Sequence, residues 1–413
     1  MALRLPVQWH NKSRRIAGVM SGTSGDGVDA AIADFWRTSS GDHFQLLHWC
    51  HMELPPAFRL RLQRLCEEPL SIGEMAAFHW EVAAITAESV RRACAEFGVA
   101  PEELDAVGMH GQTVFHDPEP MCYGGHGVGL QVGNIAAVAQ WLGTTVVGDF
   151  RSADIALGGQ GAPLVAIFDW AFLRSPGDTV VALNIGGIAN VTVLPPKCPP
   201  EHVRAWDTGP GNLWIDAAVE LFFGKRYDTA GQIARAGRLV LPLWRALQQI
   251  AFIRQPPPKT TGRELFSRQR LRQLLQEVVS PHVPAEDIVH TLTRFTAWSI
   301  AENLRLFAGE CTRIIVSGGG ARNDFLLELL QEEVPSAQVE CSELYGIPAQ
   351  AKEALCFAYL AYRTLGSEPA NLPSVTGARR PAILGVVAFA GRASTTSSLA
   401  PAEEGTERTD HDG

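Results

Sequence analysis

Three glycine-rich turns, each closing a strand-like run, have the residue types to hold phosphate: Ser21-Gly22-Thr23-Ser24-Gly25-Asp26-Gly27, Asp207-Thr208-Gly209-Pro210-Gly211-Asn212 and Ser317-Gly318-Gly319-Gly320. Backbone N–H groups in such turns converge on phosphate oxygens, and glycine allows both positive φ and close approach. Any one of them alone reads more simply as ordinary turn chemistry. Together, with hydroxyls on Ser21, Thr23 and Ser24 and carboxylates on Asp26, Asp29 and Asp207 for a hydrated Mg2+, they point to a nucleotide. Asp207 is the carboxylate to choose as general base, since it stands at a strand end beside a turn that can hold a phosphoryl group. A turn-initiating Asp bonded to its own backbone explains the position equally well. Two strand ends add polar groups, His110-Gly111-Gln112-Thr113 and Asp149-Phe150-Arg151. His110 and Gln112 suit a polar substrate, and the Arg151 guanidinium suits a substrate carboxylate, unless it pairs with Asp149 or Asp154. The spacing of His110, His116 and His126 does not fit a compact metal site.

The elements that must position these groups follow from periodicity. Ile16–Met20 and Val28–Phe35 read as two strands of a hairpin around the first turn. Apolar residues at helical spacing run from Ile72 to Phe97, followed by short strands over Leu104–Met109 and Thr145–Asp149. Val180–Asn184, Gly186-Gly187 and Ile188–Leu194 repeat the strand-turn-strand plan, which suggests an internal duplication. Helices are expected over about 213–223, carrying Asp216 and Glu220 toward solvent, over about 287–307, and from Asn323 or Asp324 to Glu333, with a strand over Arg313–Val316. Strands and helices alternate, so the fold class is α/β.

Composition excludes several classes. The 413 residues are 46% hydrophobic and 19% charged with a formal charge of −9, and no basic block could neutralise a nucleic-acid backbone. No apolar run reaches the length of a membrane span, the first fifteen residues do not make a signal peptide, and the eight cysteines are scattered as in a reduced cytoplasmic protein. GxxxxGK[ST] and the protein-kinase signatures are absent, and Gly25-Asp26-Gly27-Val28-Asp29-Ala30 leads into a strand where a dinucleotide fingerprint needs a helix.

The chain resembles the anhydro-N-acetylmuramic acid kinase family, of the sugar-kinase and actin superfamily. Gly18-Val19-Met20-Ser21-Gly22-Thr23-Ser24, His110-Gly111-Gln112-Thr113, Gly148-Asp149-Phe150-Arg151 and Gly158–Val165 carry the likeness, followed in order by Asn184–Asn190, Asp207–Asn212, Thr261-Gly262-Arg263-Glu264, Gly318-Gly319-Gly320-Ala321 and Lys352-Glu353-Ala354. The resemblance implies a duplicated ribonuclease H-like, actin-like ATPase of two lobes, over 16–175 and 176–387, around a deep cleft; composition reads 1–15 as a polar leader and the Ser-, Thr-, Ala-, Glu- and Gly-rich stretch from 388 as a disordered tail. It implies ATP and Mg2+, held by Gly22, Thr23, Ser24, Gly25, Asp26, Gly27, Val28 and Asp29, with Gly186, Gly187, Gly209, Gly211, Asn212, Gly318, Gly319 and Gly320, and with Asp26 reaching the metal through water. Asp207 is then the base that activates water for ring opening with transfer to O6. His110, Gln112, Asp149, Arg151 and Glu353 line the sugar. A homodimer is expected on the same footing.

An ordinary hexose or amino-sugar kinase and a non-catalytic nucleotide-binding regulator are the competing readings. Gly25, Asn134 and Gln350 stand where the family pattern has Leu, Asp and an acid, and Thr229-Ala230 where it has a charged pair. Asp26, Asp207, Arg151 and Glu353 are kept, so activity is expected.

Overall fold

The structure, a computed structural model, describes residues 9–21, 27–67, 71–122, 126–262 and 265–391. Strands β1 (Arg14–Ser21), β2 (Gly27–Thr38) and β3 (Gly41–Glu53) form an antiparallel meander, and β4 (Ala106–Met109) joins β1 in parallel. A separate antiparallel ribbon of β5 (Gln112–Cys122) and β6 (His126–Val132) follows, then β7 (Val146–Gly148), parallel to β4. The second half repeats the plan. Strands β8 (Val180–Ile185), β9 (Ile188–Leu194) and β10 (Arg204–Pro210) are antiparallel, and β11 (Arg313–Ser317) and β12 (Gln338–Cys341) continue in parallel from the far side of β8. The orders β3-β2-β1-β4-β7 and β10-β9-β8-β11-β12 match strand for strand and sense for sense, which makes the duplication a fact of topology.

Each sheet is covered on both faces, so its central strands are apolar on both sides. Ile16, Ala17 and Val19 of β1 are all buried. The helix Ile72–Phe97 covers one face. Ser71 caps it by accepting from Glu74 N while Glu74 reaches back to Ser71 N, and Gly98 at φ 85° ends it, so both limits are written in local chemistry. On the other face, Ala166–Phe172 and Lys352–Leu365 share one core with residues of the second sheet, including Val180, Ala182 and Ile315. The second sheet's remaining face packs beneath Ala285–Asn303 and Asp324–Glu333.

Sequence order misplaces two elements. Lys352–Leu365 falls within the expected second lobe of 176–387 and a further strand, β13 (Val386–Ala388), begins there, but β13 pairs with β7 of the first sheet and the helix lies against β1 and β4. The chain crosses back because Gly18 and Gly108 leave no side chain in the way: a Cβ at either would run into the backbone of Ala354 or Phe357. Gly18→Ala is therefore expected to cost about 1–3 kcal/mol through overpacking. A fall in the urea midpoint checks this, and an unchanged midpoint would mean the helix tolerates a wider seat. The expected tail from 388 begins later, since Ala388 is paired and Gln140 Nε2 donates to the Phe389 carbonyl at 3.2 Å. Residues from 392 lie outside the described residues. The helix read over 287–307 is α-helical over Ala285–Asn303 and finishes as a π turn over Leu304–Ala308.

Candidate active site

Asp207 sits on β10 where the pairing with β9 slips between Asp207 and Gly209, a bulge that re-aims the strand end. Its Oδ2 accepts from Thr261 N at 2.8 Å, and its own N–H donates to the Lys259 carbonyl at 3.2 Å, so the segment 259–261 runs as a brace beside it. Thr208 Oγ1 donates to the Ala189 carbonyl, Asn303 Nδ2 to the Thr208 carbonyl and Thr296 Oγ1 to the Gly211 carbonyl, all buried, which fixes the 207–212 turn against Ala285–Asn303. Lys259 is a residue that sequence reasoning missed. Its Nζ donates to the carbonyls of Phe252 and Ile253 at 2.9 and 3.0 Å, and burial pulls its pKa down to about 8 while the Asp207 charge works the other way. In the sequence the segment is marked by the Thr261-Gly262-Arg263-Glu264 motif that follows it and by the Pro256-Pro257-Pro258 run before it, and neither singles out Lys259.

Two of the three glycine turns meet in space with the Gly186-Gly187 turn between them. The N–H groups of Gly211 and Asn212 donate to the carbonyls of Gly187 and Gly186, each at 2.8 Å, and Asn212 Nδ2 reaches the Ile185 carbonyl. Gly318, at φ 82°, and Gly320 pack against Asn184 and Ile185 so closely that a Cβ would collide. The glycines thus divide. Gly209, Gly211, Gly318 and Gly320 serve backbone packing, whereas Gly186, Gly187 and Gly319 face space in which a Cβ would meet nothing nearer than 3.5 Å. These last three form an open cradle of backbone suited to a phosphate chain. Gly319→Val is expected to fold normally and to raise the KM for ATP on the order of tenfold, with kcat kept. Initial rates against ATP concentration, beside a melting curve, test it; an unchanged KM would remove Gly319 from the cradle.

Of the first turn, Gly22, Thr23, Ser24, Gly25 and Asp26 lie outside the described residues. Gly27 abuts the His51 imidazole, Val28 is buried in the first core, and Asp29 Oδ1 is 2.8 Å from His51 Nδ1. Burial raises the Asp29 pKa, against the pull of His51 and of Arg322, which lies beyond the Gly318–Gly320 turn. Arg322 Nη2 donates to Gln350 Oε1 at 2.6 Å, so the residue that replaces an acid still engages a cation. Asn134 likewise caps its helix, accepting from Ala137 N at 3.0 Å.

Of the residues expected to line the sugar, His110 and Glu353 lie near Arg151. Its Nη1 donates to the Gly161 carbonyl at 2.6 Å and its Nη2 to His110 Nε2 at 2.8 Å, and neither Asp149 nor Asp154 pairs with it. Because a guanidinium only donates, His110 Nε2 must accept, which puts the imidazole proton on Nδ1, bonded to the Gly111 carbonyl at 2.8 Å. Burial first and Arg151 second hold the His110 pKa well below its ordinary value, so the ring is neutral. The unfolded chain binds that proton more readily, so His110 contributes stability above the unfolded pKa, about 6.5, which drains away as pH falls below it. His110→Gln is expected to flatten the acid side of the stability curve below about pH 6.5; denaturant melts across the acid range show whether it does.

Gln112 Oε1 accepts from Ser21 Oγ at 2.8 Å, tying this group to the strand that enters the first turn. Asp149, at φ 53°, spends its Oδ1 on Ser152 N and Oγ, starting the helix Ser152–Ala156. Glu353 keeps solvent contact yet has its pKa raised by burial, then by Asp29, against Lys352 and Arg151. Glu220 faces solvent as expected, whereas Asp216 is half-buried.

The family model described as anhydro-N-acetylmuramic acid kinase matches residues 14–390. A curated relative of that name from Synechococcus elongatus is 41% identical over 381 residues, covering 90% of this chain and 99% of the relative. The chain belongs to the anhydro-N-acetylmuramic acid kinase family. As a member of this kinase family it is a phosphotransferase. Among solved structures, component A of the (R)-2-hydroxyglutaryl-CoA dehydratase of Acidaminococcus fermentans aligns at 13% identity and TM-score 0.45, covering 86% of this chain and 100% of that one. A ROK family glucokinase from Streptomyces griseus, in complex with glucose and AMPPNP, aligns at 15% and 0.35, covering 84% and 98%. The two matching sheet orders carry the fold assignment independently of these alignments. No described helix is long and apolar enough to cross a membrane.

Proposed function

We propose that this kinase opens 1,6-anhydro-N-acetylmuramic acid with water and transfers the γ-phosphoryl group of ATP to the freed O6, giving N-acetylmuramic acid 6-phosphate and ADP. The observation that carries the reading is the position of Asp207, braced by Thr261 N on a bulged strand end beside the open Gly186, Gly187 and Gly319 backbone. The substrate's O6 is an ether oxygen with no proton to remove, so a base is useful only on the attacking water. Asp207 takes a proton from that water, the water oxygen bonds to C1, the C1–O6 bond breaks, and O6 attacks the γ-phosphorus as its bond to the ADP oxygen breaks. Relief of bicyclic strain assists the opening. The Gly186 N–H is spent on the Ile188 carbonyl at 3.2 Å, so the N–H groups of Gly187 and Gly319 hold the nucleotide phosphates, oriented before reaction and therefore effective as charge shifts between oxygens.

Arg151, Glu353, His110 and Gln112 form the sugar side. Arg151 is the partner for the lactyl carboxylate, and neutral His110 orients the guanidinium. Asp29 and Glu353 are carboxylates that sense one another and would hold a Mg2+, which would neutralise charge on the nucleotide phosphates; Asp26 is a further ligand on the family resemblance alone. ATP supply places the work in the cytoplasm. The deciding experiment incubates the protein with ATP, Mg2+ and the anhydro sugar in 18O-water, with N-acetylmuramic acid and N-acetylglucosamine in parallel, and weighs the products. One phosphoryl plus one labelled water is expected. A phosphoryl gained without water, or only on the open sugars, would make the protein an ordinary sugar kinase.

A further inference from the structure

We propose that the outer face of the first sheet carries a zinc-class divalent metal site formed by His48, Cys50 and Glu96. His48 and Cys50 alternate with His51 along β3, so they point to the face covered by Ile72–Phe97 while His51 turns to Asp29 on the other face. Glu96 comes from the last turn of that helix. One ligand atom from each of the three residues lies within 4.8 Å of the others. Imidazole nitrogen, thiolate sulfur and carboxylate oxygen are the ligand types zinc takes, and a tetrahedral ion at its usual bond lengths needs them roughly 3.3 to 3.6 Å apart. Small rotamer changes close that gap.

Three further features suit an ion there. His48 Nε2 and Glu96 Oε2 already face each other at 3.0 Å, so a metal inserted between them needs only slight widening. Arg92 Nε donates to the other oxygen, Glu96 Oε1, at 2.8 Å, which fixes the carboxylate as an outer partner and leaves Oε2 free to ligate. Cys50 is buried beneath, whereas His48 and Glu96 are partly open to solvent, giving the ion an entry path and a fourth position for water. The set lies on the opposite face of β3 from Asp29 and the candidate active site. A metal there would tie the edge strand to the end of the long helix.

The test is titration of the purified full-length protein with Co2+, followed by the near-ultraviolet thiolate-to-metal band, and by Zn2+ competition. One Co2+ with a thiolate band, displaced by Zn2+, is expected, together with a melting temperature raised by Zn2+ and not by Mg2+. Cys50→Ser should abolish the band, and His48→Gln and Glu96→Gln should each weaken binding by at least about 10- to 100-fold. Cys311→Ser should leave it unchanged. His48 and Glu96 sit at the surface, so their variants report even if Cys50→Ser fails to fold. A missing thiolate band, or unweakened binding in His48→Gln, would overturn the site and leave an ion pair over a buried thiol.

Discussion

Asp207→Asn is expected to lower turnover of the anhydro sugar by about two to four orders of magnitude while ATP binding stays intact. The substitution keeps shape: the Asn carbonyl oxygen can still accept from Thr261 N, now at 2.8 Å to the carboxylate, so the brace at 259–261 and the bulge survive. What disappears is the proton acceptor. The glycine cradle is tied by the N–H groups of Gly211 and Asn212 to the 207–212 turn, which Thr296 and Asn303 hold in place, and none of these bonds uses the carboxylate, which is why binding and turnover should separate. Lys259 also loses the charge that opposes its desolvation, so its pKa falls further below about 8. Single-turnover kinetics on the anhydro sugar and a fluorescent-nucleotide titration measure the two halves of the claim. Undiminished turnover would strip Asp207 of its role, and lost nucleotide binding would show that the carboxylate helps to build the cradle.

How much of this was legible in the sequence depends on how local each determinant is. The helix Ile72–Phe97 is readable to the residue because Ser71, Glu74 and Gly98 write its limits into the chain, whereas Leu213–Phe223 has only its end so marked, by Gly224 at φ 64°, since Asn212 before it makes no side-chain cap. Asp207 is legible as a strand-end carboxylate beside glycines. The division of those glycines into packing and open positions is not, since it depends on what Ile185, Asn184 and Gly186 bring across from another strand. Asp149 shows the same limit: its carboxylate serves Ser152, a turn function that resemblance alone does not separate from sugar contact. His51, Lys259 and Arg322 are ordinary letters in the sequence and gain meaning only as neighbours of Asp29 and Asp207. The return of Lys352–Leu365 to the first sheet is likewise beyond periodicity, because an apolar helix does not name the surface it will cover.

That returning helix supplies the second large effect. Lys352, at its first turn, is 3% exposed and lies 2.7 Å from Asp169 Oδ1, whose residue is 1% exposed. The contact is one of charge with charge, since Asp169 Oδ1 lacks a well-aimed hydrogen bond, and Lys352 Nζ spends a donor on Ser317 Oγ at 3.3 Å. Three segments are thereby locked together: Ala166–Phe172, the start of Lys352–Leu365, and the end of β11 just before the Gly318–Gly320 turn. Lys352→Met leaves the Asp169 carboxylate buried without its cation, and breaking a buried pair from one side costs about 3–5 kcal/mol. At roughly 2 cal/mol/K of unfolding entropy per residue, a chain of 413 residues would melt about 4–6 °C lower. The double variant Lys352→Met with Asp169→Leu removes both charges, and should recover most of that loss because an apolar pair of similar volume is often as stable as a buried ion pair. Recovery of stability does not restore the Ser317 contact, so the double variant should keep a raised KM for ATP through a loosened Gly319 while melting like the parent. Calorimetry and nucleotide kinetics on the two variants distinguish the roles. If the double variant melts as low as the single, the loss comes from the missing Lys352 contacts rather than from an unpaired Asp169, and if its KM for ATP matches the parent's, the Ser317 contact does not position the glycine cradle.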